Sequence, residues 1–442
     1  MLLKNGRFVT PDKIECGDLS INEGRIEAIS SQLPASNGED IVDLHGNIVI
    51  PGAIDAHVHF NEPGRADWEG WETGSRAALN GGITSVFEMP LNADPPTLTA
   101  DLFQKKKAVA EQKSCIDFGL WGGLTPINLE HIKTLAEAGV IGFKAFMSSS
   151  GLDDFPRVDH ESLKTGMEII AETGKILALH AEDEVLTQKL ALQARKNNLE
   201  DIDAWLTSRP IEAELIAIRE ALELAKETGC RIHIVHISNV PGFELVHKAR
   251  AEGVDVTAET CPHYLELLAT DLQEHGALAK CAPPLRDAHT RDALWEAVVR
   301  GPVDTIGSDH SPCLTSMKLG IPFSQAWGGI SGVQHLLNPF IERILKQGDL
   351  SWERLVALSS GNVADRFGLE DRGKLIPGAQ ADLVIIDPTQ ETRVASEDIL
   401  YRNPHSPYIG KTWSGKIVET IKNGRILSKG FEAKFRGKII MN

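Results

Sequence analysis

The densest chemical pattern in the chain is Asp55-Ala-His57-Val-His59, which follows the apolar stretch NIVIPGAI. Residues two apart on a strand face the same side, so both imidazoles can approach one metal ion. The same pair also suits a polar strand edge, and both readings stand at this point. Lys144 lies within Val140-Ile-Gly-Phe-Lys-Ala-Phe-Met147, where a charged ammonium is unfavourable. Either its side chain reaches solvent, or a neutral amine reacts with carbon dioxide to form a carbamate, an anionic two-oxygen ligand able to bridge two cations. His180 ends KILALHAED and His236 ends RIHIVHIS, each a ligand or a core histidine. Alternation of Ile232, Ile234 and His236 sets His236 opposite His233, so only one of that pair faces the barrel centre, and His236 is taken as that one. Asp309, after Thr305-Ile-Gly-Ser, ends the last strand candidate with a carboxylate or caps the following turn. Together these are four imidazoles, one potential lysine carbamate and one aspartate, the donor set of a two-metal site. Nitrogen and oxygen donors of this kind suit zinc, with cobalt, manganese or iron also accepted.

The elements that must position these groups alternate short apolar runs with longer amphipathic segments. Strands are expected near 48–59, 84–89, 115–123, 142–147, 176–182, 231–238, 254–261 and 305–310. A doubly wound open sheet has the same rhythm. The polar residues at the strand ends favour a closed (β/α)₈ barrel of the TIM type, whose active-site groups gather at the carboxyl face. The first segment and the last instead show short alternating stretches with turn signals at Pro377-Gly378 and Asn423-Gly424. The expected organisation is an α/β fold in which residues 1–50 and 367–442 jointly form a small β-sandwich domain and residues 51–366 form the barrel.

At 442 residues the chain suits one large barrel with an accessory unit. Its formal net charge of −17 disfavours nucleic acid as a partner. No apolar run reaches the ~20 residues that span a bilayer, and the N-terminus lacks the pattern of a secretory signal. A cytoplasmic protein with no membrane role is expected. The six cysteines are scattered without a CxxC pair, against both a disulfide framework and a thiolate zinc site.

With PGAIDAHVHF, GFKAFM, His180, His236 and GSDHSP in order, the chain resembles the cyclic amidohydrolases, the group of dihydroorotases, dihydropyrimidinases or hydantoinases, and allantoinases. The resemblance covers nearly the whole length. Dihydroorotases usually carry an Arg two residues after the second histidine of the pair, where this chain has Asn61. Hydantoinases and dihydropyrimidinases place a Tyr shortly after the carboxylated lysine, where this chain has Phe146-Met-Ser-Ser-Ser150. Glu62-Pro-Gly-Arg65, Glu88-Met-Pro-Leu-Asn92, Cys261-Pro-His-Tyr264 and Asp309-His-Ser-Pro-Cys313 look like allantoinase motifs.

What the resemblance implies is specific. His57 and His59 hold one divalent ion with Asp309, His180 and His236 hold a second, and Lys144, as N6-carboxylysine formed with carbon dioxide, bridges them. Zinc is the leading metal. A metal-bridged hydroxide opens the ring of allantoin to give allantoate in purine breakdown, and Asp309, as the catalytic residue, carries the proton to the leaving nitrogen. Asn92 and Ser311 are the expected substrate contacts, with Asn92 equally suited to bracing its loop. His263 is read as either a substrate-facing or a packed loop histidine. A homo-oligomer, commonly a tetramer in the family, is implied. The alternative is a hydantoinase or dihydropyrimidinase acting on another cyclic ureide.

Overall fold

The computed structural model describes residues 1–197, 202–426 and 436–441. The N-terminal segment forms β1 (Leu2–Val9), β2 (Ile14–Asn22), β3 (Arg25–Ser30), β4 (Ile41–Asp43) and β5 (Ile48–Pro51). The barrel strands follow as β6 (Ala53–Val58), β7 (Ile83–Glu88), β8 (Asp117–Gly123), β9 (Gly142–Phe146), β10 (Ile176–His180), β11 (Arg231–Ile234), β12 (Val256–Thr260) and β13 (Thr305–Ile306). The chain returns to the first sheet through β14 (Leu383–Arg393), β15 (Thr412–Lys422) and β16 (Arg425–Ile426).

The barrel strands pair in sequence order from β6 to β13, all parallel, with helices between them. The ring is brought round to its start where Val58 bridges His310 and the His59 amide donates to the His310 carbonyl at 2.8 Å. Both termini contribute to the second sheet, in which β5 lies between β1 and β14. That sheet is largely antiparallel, with β4 and β5 parallel to β1. Its own core gathers Leu3, Phe8, Leu19, Val49, Leu383 and Ile421.

Alternation sorts the barrel side chains into two layers. Phe143 and Ala145 of β9, Leu177 and Leu179 of β10, and Val256 and Ala258 of β12 pack outward with helix residues such as Ile218 and Val246. Ile176, Ala178, Phe87 and Trp121 fill the interior. The residues left facing the centre are Lys144, His180 and Glu259, which follows directly from a period of two.

Three expectations need correction. The run expected as one strand over 48–59 is two strands, because Gly52 separates β5, which joins the terminal sheet, from β6, which opens the barrel. Asp309 does not end a strand: β13 stops at Ile306, and Asp309 sits beyond it on left-handed backbone (φ 45°). The strand expected over 231–238 stops at Ile234, so His236 also lies beyond the regular ladder, with φ 42°. Both residues are therefore aimed by a local turn rather than by strand pleating.

A buried charge cluster fastens the barrel to the terminal sheet. Asp117, at the start of β8, accepts from Lys422 Nζ at 2.7 Å, Arg372 Nη1 at 3.0 Å and the Lys438 amide at 2.8 Å. Lys422 also bonds Asp382 at 2.7 Å. Burial alone would raise the Asp117 carboxyl, but Lys422 and Arg372 outweigh it and hold it below the ordinary value. Asp117→Ala leaves two buried cations short of a partner and is expected to cost about 3–5 kcal/mol, read as an earlier chemical denaturation midpoint. Since the folded carboxyl titrates lower than the unfolded one, this difference from wild type should be full at neutral pH. It should shrink as pH falls below about 4. A variant within 1 kcal/mol of wild type, on the order of a single surface substitution, would remove this role.

Candidate metal centre

Four imidazoles and one carboxylate meet at the carboxyl end of the barrel. Ring centroids run from His59 to His57 at 5.6 Å, His57 to His236 at 5.4 Å and His236 to His180 at 4.7 Å. Asp309 Oδ1 lies 3.1 Å from His57 Nε2 and 3.5 Å from His59 Nε2. Ligand atoms of His57, His59 and Asp309 all fall within 4.8 Å of one another, a grouping that suits a divalent metal ion. On the other side, His180 Nδ1 and His236 Nε2 face each other at 3.0 Å, as two ligands of one ion do.

The opposite ring nitrogens explain why these particular atoms point inward. His57 Nδ1 bonds Glu259 Oε1 at 2.8 Å, His59 Nδ1 bonds the Leu91 carbonyl at 3.1 Å, and His180 Nε2 bonds Glu182 Oε2 at 2.8 Å. Each partner accepts a hydrogen bond from the ring N–H, which leaves a lone pair on the inward nitrogen, the arrangement typical of metal-binding histidines. Burial lowers the pKa values of His57, His180 and His236, so all three are neutral at pH 7, the form that binds metal. Phe146 stacks on His180 with centroids 4.6 Å apart and planes 14° from parallel, which fixes that ring further.

Lys144 is fully buried, and its Nζ has no hydrogen-bond partner among the described residues. Burial pulls its pKa down to about 7 against the charges of Asp309 and Glu259. It lies close enough to His57, His180 and His236 to influence their titration. A buried, unpaired amine among neutral histidines is costly as an ordinary lysine, and it is reactive as a neutral one. Asp309 is stabilised as an anion: burial opposes this, but the imidazoles of His57, His59 and His236 around it hold its carboxyl well below the usual range.

The expected substrate contacts lie on adjacent loops. Asn92 is buried, with Nδ2 donating to Asn61 Oδ1 at 3.2 Å and its carbonyl accepting from Arg65 at 2.7 Å. Asn61 Nδ2 in turn reaches the Pro312 carbonyl at 3.1 Å, so the two amides tie the loop after β7, through the one after β6, to the one after β13. Ser311 is buried and held through its amide to the Ile330 carbonyl at 2.9 Å. His263 is buried at the end of β12, and neither ring nitrogen has a partner among the described residues. Burial brings its pKa down to about 4.

Sequence reasoning passed over Glu259 and Glu182. Both were signalled: Glu182 follows His180 by two residues, and Glu259 stands one strand alternation from Thr257 near the end of the strand candidate over 254–261. A carboxylate buried beside a metal-type histidine is the usual device for setting its tautomer.

Comparison with known proteins agrees with this architecture. The amidohydrolase family model matches residues 48–427, and the chain belongs to that family. An allantoinase of Rubrobacter xylanophilus is 45% identical, with 97% of this chain and 94% of that protein aligned. An allantoinase of Deinococcus radiodurans is 42% identical over 100% of this chain and 98% of its own. Among solved structures, the L-hydantoinase (dihydropyrimidinase) of Arthrobacter aurescens superposes with a TM-score of 0.93 at 34% identity, covering 100% of this chain and 97% of that one. All six cysteines are free, and no helix among the described residues is long and apolar enough to cross a membrane.

Proposed function

We propose that this enzyme hydrolyses allantoin to allantoate at a centre of two divalent ions. The convergence of His57, His59 and Asp309 beside the buried, unpartnered amine of Lys144 carries the metal reading. The substrate rests on full-length likeness to allantoinases, together with Asn61 and the absent tyrosine near Ser150.

His57, His59 and Asp309 would hold one ion, His180 and His236 the other, and Lys144, once carboxylated by carbon dioxide, would bridge both. Zinc fits these donors best. Divalent ions bound there supply Lewis acidity and bring the ionisation of water from 15.7 towards about 7. The chain's own groups do the rest. Asp309, anionic at neutral pH, accepts the proton released as water adds to the ring carbonyl and returns it to the ring nitrogen as the amide bond breaks. Glu259, Glu182 and the Leu91 carbonyl keep the tautomers of His57, His180 and His59 correct throughout.

Allantoin carries no carboxylate, and Asn61 accordingly presents an amide, already engaged with Pro312 and Asn92, where an arginine would receive an acid. Asn92 and Ser311 are assigned to the ureide and ring amides. Asn92→Ala is expected to raise KM for allantoin by about tenfold with a smaller change in kcat, the effect of losing about one hydrogen bond. An unchanged KM would leave Asn92 as a loop brace alone.

Steady-state hydrolysis of allantoin, hydantoin, dihydrouracil and dihydroorotate by the same metal-loaded preparation tests the substrate. Preference for allantoin is expected. Preference for hydantoin or dihydrouracil, the direction in which the solved structures point, would overturn the substrate and keep the family.

A further inference from the structure

Resting on the two-metal reading, we infer that Glu259 is a positioning residue shared by both halves of the centre, and that position 307 is glycine to leave room for its carboxylate. Glu259 Oε1 accepts from His57 Nδ1 at 2.8 Å and from the His236 backbone amide at 3.3 Å. The first contact fixes the tautomer of a ligand assigned to one ion. The second pins the left-handed backbone that turns a ligand of the other ion inward. One buried oxygen therefore orients histidines on both sides.

Gly307 lies on the strand-end segment that follows β13. A Cβ placed there would come 2.5 Å from Glu259 Oε2, 2.7 Å from its Cδ and 3.0 Å from Oε1. Its backbone does not need glycine, since its φ lies outside the left-handed region. Space for the carboxylate is what the position requires. Glu259 cannot give way easily, because it is completely buried and its Oε1 is held by two donors. An added methyl would push that oxygen away from His57 and His236 together.

The test measures metal retention against a chelator for wild type, Glu259→Gln, Glu259→Ala, Gly307→Ala and the Glu259→Ala/Gly307→Ala double variant. Circular dichroism checks the fold of each metal-free protein. Partners that orient ligating histidines typically affect metal affinity by about 10–100-fold. A loss of that order is expected for both ions in Glu259→Ala and Gly307→Ala, with a smaller loss in Glu259→Gln, which keeps an acceptor oxygen. With the carboxylate removed, alanine at 307 has nothing to displace, so the double variant should be no worse than Glu259→Ala alone. Wild-type retention in both Glu259→Ala and Gly307→Ala, loss of one ion only, or strict additivity in the double variant would each overturn the inference. Wild-type protein that binds no metal at all would instead bring down the two-metal reading on which it rests.

Discussion

Lys144→Ala is expected to lose turnover by on the order of 10³-fold or more while the barrel remains folded. The side chain projects inward from the middle of β9, on the face opposite Phe143 and Ala145, and it makes no hydrogen bond that stabilises the fold. Its removal takes away an unfavourable buried amine, so thermal stability of the metal-free protein should stay level or rise. What is lost is the amine whose carbamate would offer an oxygen to each ion. Carbamate formation joins the neutral amine nitrogen to the carbon of carbon dioxide and releases one proton. The low pKa that burial imposes makes the neutral amine available near pH 7. Metal analysis should show the second ion weakened or gone, and a small carboxylate such as acetate, admitted to the vacated space, should restore part of the activity. Lys144→Ala protein with its full metal content and near-normal kcat would show that the lysine is a spectator.

The sequence made some of this arrangement legible and concealed the rest for reasons that differ strand by strand. On β9 and β10 the period of two is undisturbed, so Lys144 and His180 could be placed facing inward from the pattern alone. On β11 the same rule misleads. Ile232 and Ile234 pack outward with Ile218 and Val246, and His233 faces Thr257 and Glu259, so simple alternation would carry His236 out among the helices. It reaches the centre because the strand ends at Ile234 and the backbone turns left-handed, a change no apolar pattern records. The first barrel strand is irregular too, with register shifts against β7 between Ala53 and Ile54 and between Asp55 and Val58. There the spacing of His57 and His59 was informative although the ladder beneath it is not regular.

Burial hid a different class of residue. Glu88 would pass as a strand-end charge, but it is fully buried, ion-paired with the equally buried Lys106, and its Oε1 accepts from the Phe60 and Asn61 amides at 3.2 and 3.3 Å. Lys106 continues to the Met89 carbonyl at 2.7 Å. The pair therefore shapes the turn that leaves His59, from a helix whose exposed positions give no hint of it. Sequence spacing reports which residues share a face of one element. It does not report which charges from separate elements meet, and that is where the supports of this site lie.

Asp309→Asn separates holding the metal from moving the proton. The carboxamide is close to the carboxylate in size and retains one oxygen that can face His57 and His59, where Asp309 Oδ1 now stands at 3.1 and 3.5 Å. The turn should survive, because its left-handed backbone is among those that asparagine adopts most readily. The amide oxygen, however, cannot take a proton from water at neutral pH and return it to the leaving nitrogen. General acid–base groups of this kind contribute about 10²–10⁴-fold, and a fall in kcat of that size is expected with metal content only partly reduced. The leaving group offers a sharper check. If Asp309 protonates the departing nitrogen, an ester or activated-amide analogue, whose leaving group departs without prior protonation, should lose much less activity in Asp309→Asn than allantoin does. Equal losses on both substrates would place the defect in metal binding or in taking up water's proton and leave protonation of the departing nitrogen to another group.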